Sequence, residues 1–390
     1  VFALNTDGSG FSVLHHFDST NGSGPLGALA LGGGTLYGTT RIGGTNGLGT
    51  VFALSTAGDG FVRLHSFGGV LQHDASTGLN KNSGGAFPET DLVLVGSTLY
   101  GATEQGGSGG NGTLFKINTD GSGFALMHNF TNVDGGYPSV HMVVVGTNLY
   151  GTTEFGGTGS FLGNGTIFRV NLDGTGFTNI YEFTDSAVGP LAGLVASGNT
   201  LYGTTTVGSG GLGGPPFGTL FKINIDGTGF TNFYALDYNL DASSPTAGLA
   251  IAGNQLYGTE LGYAAYGDTV FQINTDGSGY TNLTGFNSQG DPGKLTGVAV
   301  SGGKLFGTAS TGGAHNSGIL FSVALSSSPV PIPLGQSLVG HSLVLTWADP
   351  AFSLYAAPVP AGPYTNVPNA QSPYTNNATG GQKYFRLRTN

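Results

Sequence analysis

The amino-acid sequence predicts an all-β protein: a β-propeller of four-stranded antiparallel sheets, followed by a small β-sandwich. Glycine, phenylalanine and tyrosine are abundant, with 74, 25 and 16 residues among 390, which is typical of short strands joined by tight turns. Four apolar segments return in a fixed order about every 50 residues, close to the period of a propeller blade. No longer stretch has helical periodicity. The repeat therefore decides the fold.

Each repeat contains four segments, which we label A to D. A is an apolar segment, often near a proline, as in "GPLAGLVA"; B is "LYGT" or a variant, and C is "GTVF" or similar. D starts at the aromatic residue that ends stretches such as "NTDGSGF". The segments are rich in β-branched, aromatic and aliphatic residues and are bounded by Gly, Asn, Asp or Pro, which predicts strands. In a propeller they form one blade, with A innermost.

The A and B segments occur six times, which predicts six blades. The glycines of the B segments are Gly38, Gly101, Gly151, Gly203, Gly258 and Gly307. The last repeat has A, B and C segments up to Val323 but no D segment. We expect the N-terminal segment Phe11–Phe17 to supply that D strand, because closing the ring with both ends of the chain removes an open edge.

If the ring closes in this way, one C segment is left over. Val1–Leu4 and Ile319–Val323 are both C segments, and the last blade has a position for only one C strand. The surplus edge strand, formed by Val1, Phe2, Ala3 and Leu4, can become a fifth outer strand of a blade. It can also add to a neighbouring molecule and so give a homo-oligomer or a fibre. A seventh blade that starts upstream is the remaining alternative.

The repeat ends near residue 325, so we expect the propeller to span residues 1–325. Residues 326–336, "SSSPVPIPLGQ", are rich in serine and proline and predict a linker. Residues 337–390 contain short alternating segments such as "SLVLTW". They predict a small β-sandwich as a C-terminal module.

The charge excludes several classes of function. The net charge is −10, with 21 acidic against 11 basic residues, and no basic cluster occurs, so we expect no nucleic-acid partner. The absence of cysteine excludes disulfides and thiolate chemistry. No apolar run approaches the roughly 18 residues of a membrane span. The first residues, "VFALNTDGSG", do not have the pattern of a secretion signal, which fits a mature or truncated form or a chain that is not exported.

The motifs "GNTLYGTT", "GNGTLFKINTDGSGF" and "LHSF" resemble the repeat of tandem-repeat surface proteins of the Gloeobacter and Verrucomicrobia type, known as choice-of-anchor proteins. The resemblance covers about residues 1–325. The tail, with "LVLTW", "GPYTN" and "YFRL", is similar to the small fibronectin-like C-terminal modules of such proteins. The resemblance implies an exported bacterial protein, extracellular or on the cell surface, and it offers no catalytic residues.

The recurring "NTDGSGF" stretch, which we call the cassette, has two interpretations. Asn and Asp two residues apart resemble the start of an EF-hand loop, but calcium requires six to eight oxygen ligands and each cassette offers one aspartate. A C–D hairpin turn explains the aspartate and glycine better, and Ala57 replaces the aspartate in "STAGDGF". We therefore expect no cofactor and no metal site, with calcium as a weak alternative.

Antiparallel connectivity places the B–C and D–A loops on one face of the propeller. The carboxylates that we expect on this face are Asp18, Glu104, Asp134, Glu154, Asp185, Glu260 and Asp291. They accumulate there without basic partners. Such groups can form a solvated rim, bind cations, glycan hydroxyls or another surface protein, or supply the carboxylate pair of a glycoside hydrolase.

These observations favour an exported propeller with a non-catalytic role in binding, adhesion or structural assembly. No nucleophile elbow, P-loop or zinc-protease motif occurs in the sequence, and no catalytic residue is assigned. The alternative is a glycan-active hydrolase or lyase that uses carboxylates from Glu104, Glu154 and Asp134.

Overall fold

In the computed structural model, every regular element of the described residues is a β-strand. None of the described residues forms a helix that could cross a membrane. The chain divides into two compact units, Val1–Val323 and Ala324–Asn390. The structure describes residues 1–138, 141–158, 164–183, 189–206, 218–236, 245, 247–261, 268–286, 295–313, 315–316, 318–325, 335–339, 342–346, 352–357, 365–367, 371–372, 374–377 and 384–389.

The first unit is a six-bladed propeller, which confirms the predicted fold. An N-terminal hairpin consists of β1 (Phe2–Ala3) and β2 (Ser12–Val13). Blade one comprises β3 (Ala30–Gly32), β4 (Thr35–Thr40), β5 (Thr50–Ser55) and β6 (Val62–Ser66). A short hairpin follows, with β7 (Gln72–Asp74) and β8 (Leu79–Lys81). Blade two comprises β9 (Val93–Val95), β10 (Thr98–Thr103), β11 (Thr113–Asn118) and β12 (Ala125–Asn129).

Blade three contains one extra short strand at its start. It comprises β13 (Gly136–Pro138), β14 (Val143–Val145), β15 (Asn148–Phe155), β16 (Thr166–Asn171) and β17 (Thr178–Glu182). Blade four comprises β18 (Val195–Ser197), β19 (Thr200–Thr205), β20 (Thr219–Asn224) and β21 (Thr231–Ala235). Blade five comprises β22 (Ala250–Ala252), β23 (Gln255–Glu260), β24 (Asp268–Asn274) and β25 (Thr281–Phe286). Blade six comprises β26 (Leu295–Ser301), β27 (Lys304–Ala309) and β28 (Ile319–Ala324).

The glycine of each B strand lies opposite the phenylalanine of the neighbouring C strand. In blade five, Gly258 pairs with Phe271, and a Cβ atom on Gly258 would lie 2.5 Å from the phenylalanine ring. The ring is fully buried, so it occupies the space that a side chain at the glycine would need. The other blades repeat this arrangement in the pairs Gly38–Phe52, Gly101–Phe115, Gly151–Phe168, Gly203–Phe221 and Gly307–Phe321.

Replacing Gly258 by alanine is expected to lower the free energy of unfolding by about 1 kcal/mol or more, because an extra methyl group in a packed core forces its neighbours to move. Gly285→Ala in the same blade is the matched control, since its nearest atom lies 3.8 Å away. Urea unfolding measures both variants. Equal stabilities would contradict this explanation of the repeated glycine.

The hydrophobic core lies between consecutive blades. Between blades two and three, Tyr100 and Leu114 of one blade pack against Leu149 and Phe168 of the next. Equivalent clusters fill the interfaces between blades one and two, three and four, and four and five. Alternate residues of the B and C strands therefore face the preceding and the following blade, as the period of a strand requires.

The cassettes form the turns between C and D strands. Asp120 accepts hydrogen bonds from the backbone N–H and hydroxyl of Ser122 at 2.9 and 2.6 Å, and Gly121 has a φ of 85°. The bonds from Ser122 hold the pKa of Asp120 below its ordinary value. The same pattern occurs around Asp7, Asp173, Asp226 and Asp276. The structure thus uses each aspartate within its own turn, in agreement with the hairpin interpretation.

The predicted role of Phe11–Phe17 as the D strand of blade six is wrong. Ser12–Val13 pairs with Phe2–Ala3, and β28 pairs only with β27 among the described strands. The local hairpin forms because its short loop costs far less entropy than pairing the two ends of the propeller. The hairpin packs on blade one through His15, which stacks on Phe61 at 4.0 Å between ring centroids. It is therefore a C–D pair beside blade one.

The second unit contains two three-stranded sheets. The first has β29 (Gly335–Val339), β30 (Ser342–Thr346) and β33 (Tyr374–Asn377); the second has β31 (Phe352–Ala357), β32 (Thr365–Asn366) and β34 (Tyr384–Thr389). Leu345 and Leu354 are buried, and the rings of Tyr374 and Phe385 link the sheets at 6.5 Å between centroids. This is the small β-sandwich that the sequence predicts. Residues 326–334 of the predicted linker lie outside the described residues.

Candidate functional site

A cavity of about 200 Å³ lies on the face formed by the B–C and D–A loops. We call it the carboxylate pocket. It is lined by Glu89, Thr90, Glu104, Tyr137, Pro138, Glu154 and Leu191. These residues come from blades two and three and from the start of blade four, so three successive repeats build one site.

Glu104 and Glu154 occupy the same position in neighbouring repeats. Each is the third residue after the B-strand glycine, in "LYGATE" and "LYGTTE". The B strands end on the loop face, which brings both carboxylates into the pocket. The sequence predicted both residues on this face, and the structure places them in one cavity.

Arg41 occupies the same repeat position in blade one and binds two of the carboxylates. Its Nη2 atom lies 3.3 Å from Oε2 of Glu104, and its Nε donates to Oε1 of Glu89. The guanidinium group also lies over the ring of Phe87, 5.4 Å from the centroid. The expectation that the acids of this face have no basic partner is therefore wrong for Glu104.

The carboxylates of the pocket repel each other. Burial and the charge of Glu104 raise the pKa of Glu89, although Arg41 acts in the opposite direction. Burial and the charge of Glu104 also raise the pKa of Glu154. Burial raises the pKa of the Tyr137 phenol, with the charges of Glu104 and Glu154 adding to it. Arg41 contacts two of the three carboxylates, Glu89 and Glu104, so the pocket keeps carboxylate oxygens that can accept hydrogen bonds from a ligand.

Two aromatic residues of this region adopt a left-handed backbone conformation. Phe87 has a φ of 59° and Tyr137 a φ of 54°, values at which side chains larger than glycine are strained. Both precede a proline. The equivalent residues in blades one and four are Gly24 and Gly189, with φ values of 65° and 68°. Blades two and three thus carry an aromatic ring where the fold alone favours glycine.

Glu260 does not reach the pocket, contrary to the prediction. It lies one residue earlier in its repeat than Glu104 and Glu154 do, and a shift of one residue along a strand turns the side chain to the opposite side. Glu260 is 1% exposed and accepts hydrogen bonds from the Tyr280 hydroxyl at 3.2 Å. Its carboxylate belongs to the interior of blade five.

Two more of the predicted carboxylates, Asp134 and Asp18, lie outside the pocket. Asp134 is bound to Nε2 of His128 at 3.1 Å and to the Thr131 N–H; burial acts to raise its pKa, but these bonds outweigh it and lower the pKa. Asp18 accepts hydrogen bonds from Thr20 and Asn21 in its own exposed turn. Neither lines the pocket. Asp185 and Asp291 lie outside the described residues.

The predicted edge strand Val1–Leu4 is half of the N-terminal hairpin. One edge of β1 pairs with β2, and no described strand pairs with the other edge. Phe2 and Phe11 form an exposed ring pair on this hairpin, 5.7 Å apart. Assembly through this edge strand stays a prediction.

Sequence reasoning missed Arg41 and Glu89. Arg41 could have been found by aligning the residue that follows "LYGTT" with Glu104 and Glu154. Glu89 follows Pro88 at the start of an A segment, as Leu191 follows Pro190, and both line the pocket. Within the described residues, no group of three His, Cys, Asp or Glu side chains could hold a metal ion.

The fold and the repeated loops define a β-propeller built from tandem repeats. The chain belongs to the Gloeobacter/Verrucomicrobia repeat family, which matches residues 75–214 and 164–332. A comparison with curated proteins found no match.

Solved structures are similar to this chain at low sequence identity. The Niastella koreensis GH74 enzyme is similar with a TM-score of 0.51 and 15% identity, over 91% of this chain and 54% of the enzyme chain. This chain thus spans about half the length of that enzyme. A chain of the nidogen/laminin complex is similar with a TM-score of 0.43 and 15% identity, over 71% of this chain and 87% of the other.

Proposed function

We propose that this protein is an exported bacterial propeller, located outside the cell or on its surface, that binds glycans without catalysis. The observation that carries the proposal is the carboxylate pocket, where three glutamates, a tyrosine and a nearby arginine converge. Carboxylates accept hydrogen bonds from sugar hydroxyls, and an aromatic ring offers an apolar face beside them. Loops on a rigid scaffold are where such binding residues concentrate.

The size and charge of the pocket define the ligand class. A cavity of about 200 Å³ is smaller than the roughly 300–1,000 Å³ of sites that enclose drug-sized ligands, which suits one sugar residue or a chain end. The pocket has three carboxylates against one guanidinium, so neutral or amino sugars fit and acidic sugars are repelled. The proposed ligand is therefore a neutral or amino-sugar glycan.

A glycan array followed by calorimetry tests this proposal. Neutral or amino-sugar glycans are expected to bind, and Glu154→Gln is expected to weaken binding at least about tenfold, since a charged acceptor contributes roughly 1.5–3 kcal/mol. Asp18→Asn is the control, because its carboxylate lies outside the pocket and serves its own turn. Equal affinities for wild type and Glu154→Gln would contradict the proposal.

One observation favours glycan hydrolysis or lysis as a second candidate. Glu154 has a raised pKa, and it has no hydrogen-bond partner among the described residues. Both properties suit a general acid that waits for its substrate. Glu104 lines the same cavity and would serve as the second carboxylate. Turnover of a polysaccharide panel, abolished in both Glu154→Gln and Glu104→Gln, would establish this function. Binding without turnover favours the first proposal.

The free edge of β1 supports a further part of the proposed role, which is assembly by strand addition. Deleting Val1–Asn5 is expected to lower the mass of any oligomer that wild type forms, as measured by light scattering. Phe11→Ser, which leaves the β1 backbone in place, is the control for lost apolar surface. An oligomer mass that the deletion leaves unchanged would exclude this edge from assembly.

A further inference from the structure

The connection between blades one and two is longer than the propeller requires. It runs from residue 68 to residue 87, whereas the next three connections between D and A segments run from 131 to 137, from 184 to 189 and from 237 to 244. The extra length contains the hairpin of β7 and β8. Because D–A connections lie on the loop face, the hairpin stands on the same face as the carboxylate pocket. The other repeats lack this insertion, so a blade does not need it, and loops of this kind are where binding residues concentrate.

The hairpin packs on the B–C loop of blade two, the loop that begins at Glu104. A Cβ atom on Gly110 of this loop would lie 2.8 Å from Cβ of Leu79, so the glycine lets the hairpin approach closely. Asn82, just after the hairpin, fixes it to the same loop. Its side-chain oxygen accepts a hydrogen bond from the N–H of Gly107 at 3.0 Å, and its own N–H donates to the Gly107 carbonyl at 3.3 Å. The hairpin is therefore held in place beside the pocket.

A line of hydrogen bonds runs from the hairpin to the carboxylate of Glu104. Nδ1 of His73 lies 3.3 Å from Oδ1 of Asn80, and an amide oxygen can only accept, so the imidazole donates. Nδ2 of Asn80 donates to Oε1 of Gln105 at 3.2 Å. Nε2 of Gln105 then donates to Oε1 of Glu104 at 3.3 Å. Each donor in the line points towards the pocket, and this fixes the orientation of both amides.

Both amides keep a donor that the protein does not use. An amide nitrogen carries two N–H groups, and within the part of the chain that the structure describes, Nδ2 of Asn80 and Nε2 of Gln105 each make one hydrogen bond. Both side chains are half-buried and His73 is exposed, so a ligand can reach them. The pocket offers acceptors, among them the carboxylate of Glu154. Hydrogen-bond donors thus stand beside acceptors, and sugar hydroxyls can pair with both.

We propose that Asn80 and Gln105 form a second sugar subsite beside the carboxylate pocket, so that the protein binds an oligosaccharide chain instead of a single sugar residue. The inference rests on the proposed binding of glycans in the pocket. One sugar residue donates its hydroxyl hydrogens to the carboxylates, and the next accepts hydrogen bonds from the two amides. Only the side chain of Gln105 separates Asn80 from Glu104, so the subsites are adjacent, as neighbouring residues of a glycan chain are.

A series of chain lengths tests the second subsite on the full chain. The probes are glucosamine and glucose, each compared with its β-1,4-linked dimer and tetramer, which gives one amino-sugar and one neutral series. In the series that the pocket accepts, calorimetry is expected to show that the tetramer binds at least about tenfold more tightly than the monomer. Equal affinities for monomer and tetramer would overturn the second subsite. No binding of any probe would overturn the glycan-binding role and this inference with it.

Two changes in the hairpin locate the effect. Asn80→Ala is expected to weaken tetramer binding about fivefold, the effect of one lost hydrogen bond, and to leave monomer binding unchanged. In the second variant, two glycines replace Gln72–Lys81, whose ends lie opposite each other in the sheet, and the same pattern is expected. Gln72→Ala is the matched control, because this exposed side chain lies on the opposite side of β7 from His73.

Glu154→Gln separates the two subsites. It removes a charged acceptor from the pocket, so it is expected to weaken the binding of monomer and tetramer by the same factor, whereas the hairpin variants act on the tetramer alone. A tetramer affinity that neither hairpin variant lowers would overturn the second subsite and leave binding in the pocket intact. Loss of monomer binding in Asn80→Ala would also overturn it, because Asn80 would then serve the pocket itself.

Discussion

Replacing Arg41 by methionine is expected to lower the free energy of unfolding by about 2 kcal/mol at pH 7. Arg41 is the cation that contacts both Glu89 and Glu104. Without it, two partly buried carboxylates of like charge remain beside each other. Removing one partner of a fully buried ion pair costs roughly 3–5 kcal/mol, and partial exposure of these side chains reduces the effect. Methionine keeps most of the packing on Phe87.

The loss of stability in Arg41→Met is expected to be smaller at lower pH. The pKa of Glu89 is raised in the folded protein, so the folded state binds the proton more tightly than the unfolded state does. The destabilisation is complete above the raised pKa and disappears below the ordinary value of 4.5, where both states are protonated. Removing Arg41 raises the folded pKa further. The variant should therefore regain stability as the pH falls from 7 towards 5.

Urea unfolding at pH 7, 6 and 5 measures this effect. The cassette aspartates have lowered pKa values and lose their stabilising contribution only as the pH falls below their ordinary value of 3.8, so they do not disturb this window. Arg63→Met is the control, because Arg63 donates to the Thr20 carbonyl and binds no carboxylate among the described residues. A pH-independent loss in Arg41→Met would contradict the electrostatic explanation.

The repeat made most of the fold predictable. Each B segment carries a glycine opposite a C-strand phenylalanine, and this pair counts the blades directly from the sequence. The N-terminal hairpin was mispredicted because a C-type and a D-type segment look the same whether they pair with each other or with a distant blade. Only the cost of loop closure decides between the two pairings.

The site was predictable only where a residue keeps its position in the repeat. Glu104 and Glu154 share one position, and the sequence placed both on the loop face. Glu260 lies a single residue earlier, and the alternation of a strand sends it inward. The proximity of Arg41 and Glu89 arises from contacts between different blades, which periodicity does not describe. The strain at Tyr137 depends on a φ angle that no sequence pattern reveals.

Replacing Tyr137 by glycine is expected to give a more stable protein than replacing it by alanine, by about 1 kcal/mol. Both changes remove the ring, so the lost contact with Phe155, at 5.5 Å between centroids, is the same in both. Only glycine relieves the left-handed conformation, which costs a larger residue of order 1–3 kcal/mol. At ordinary strand positions the order is reversed, because glycine is less favourable than alanine by roughly 0.5–1 kcal/mol.

Tyr181→Gly and Tyr181→Ala provide the control pair, since Tyr181 lies within β17 and has no positive φ. Denaturant unfolding of the four variants should show opposite orders at the two positions. Glycan binding should fall about tenfold in both Tyr137 variants, because the ring is lost either way. Such a result would mean that blade three gives up stability to hold an aromatic ring in the pocket. If the Tyr137→Ala protein were as stable as the Tyr137→Gly protein, the backbone at position 137 would not be strained. Tyr137 would then serve the stability of the fold, and the carboxylates alone would have to account for glycan binding.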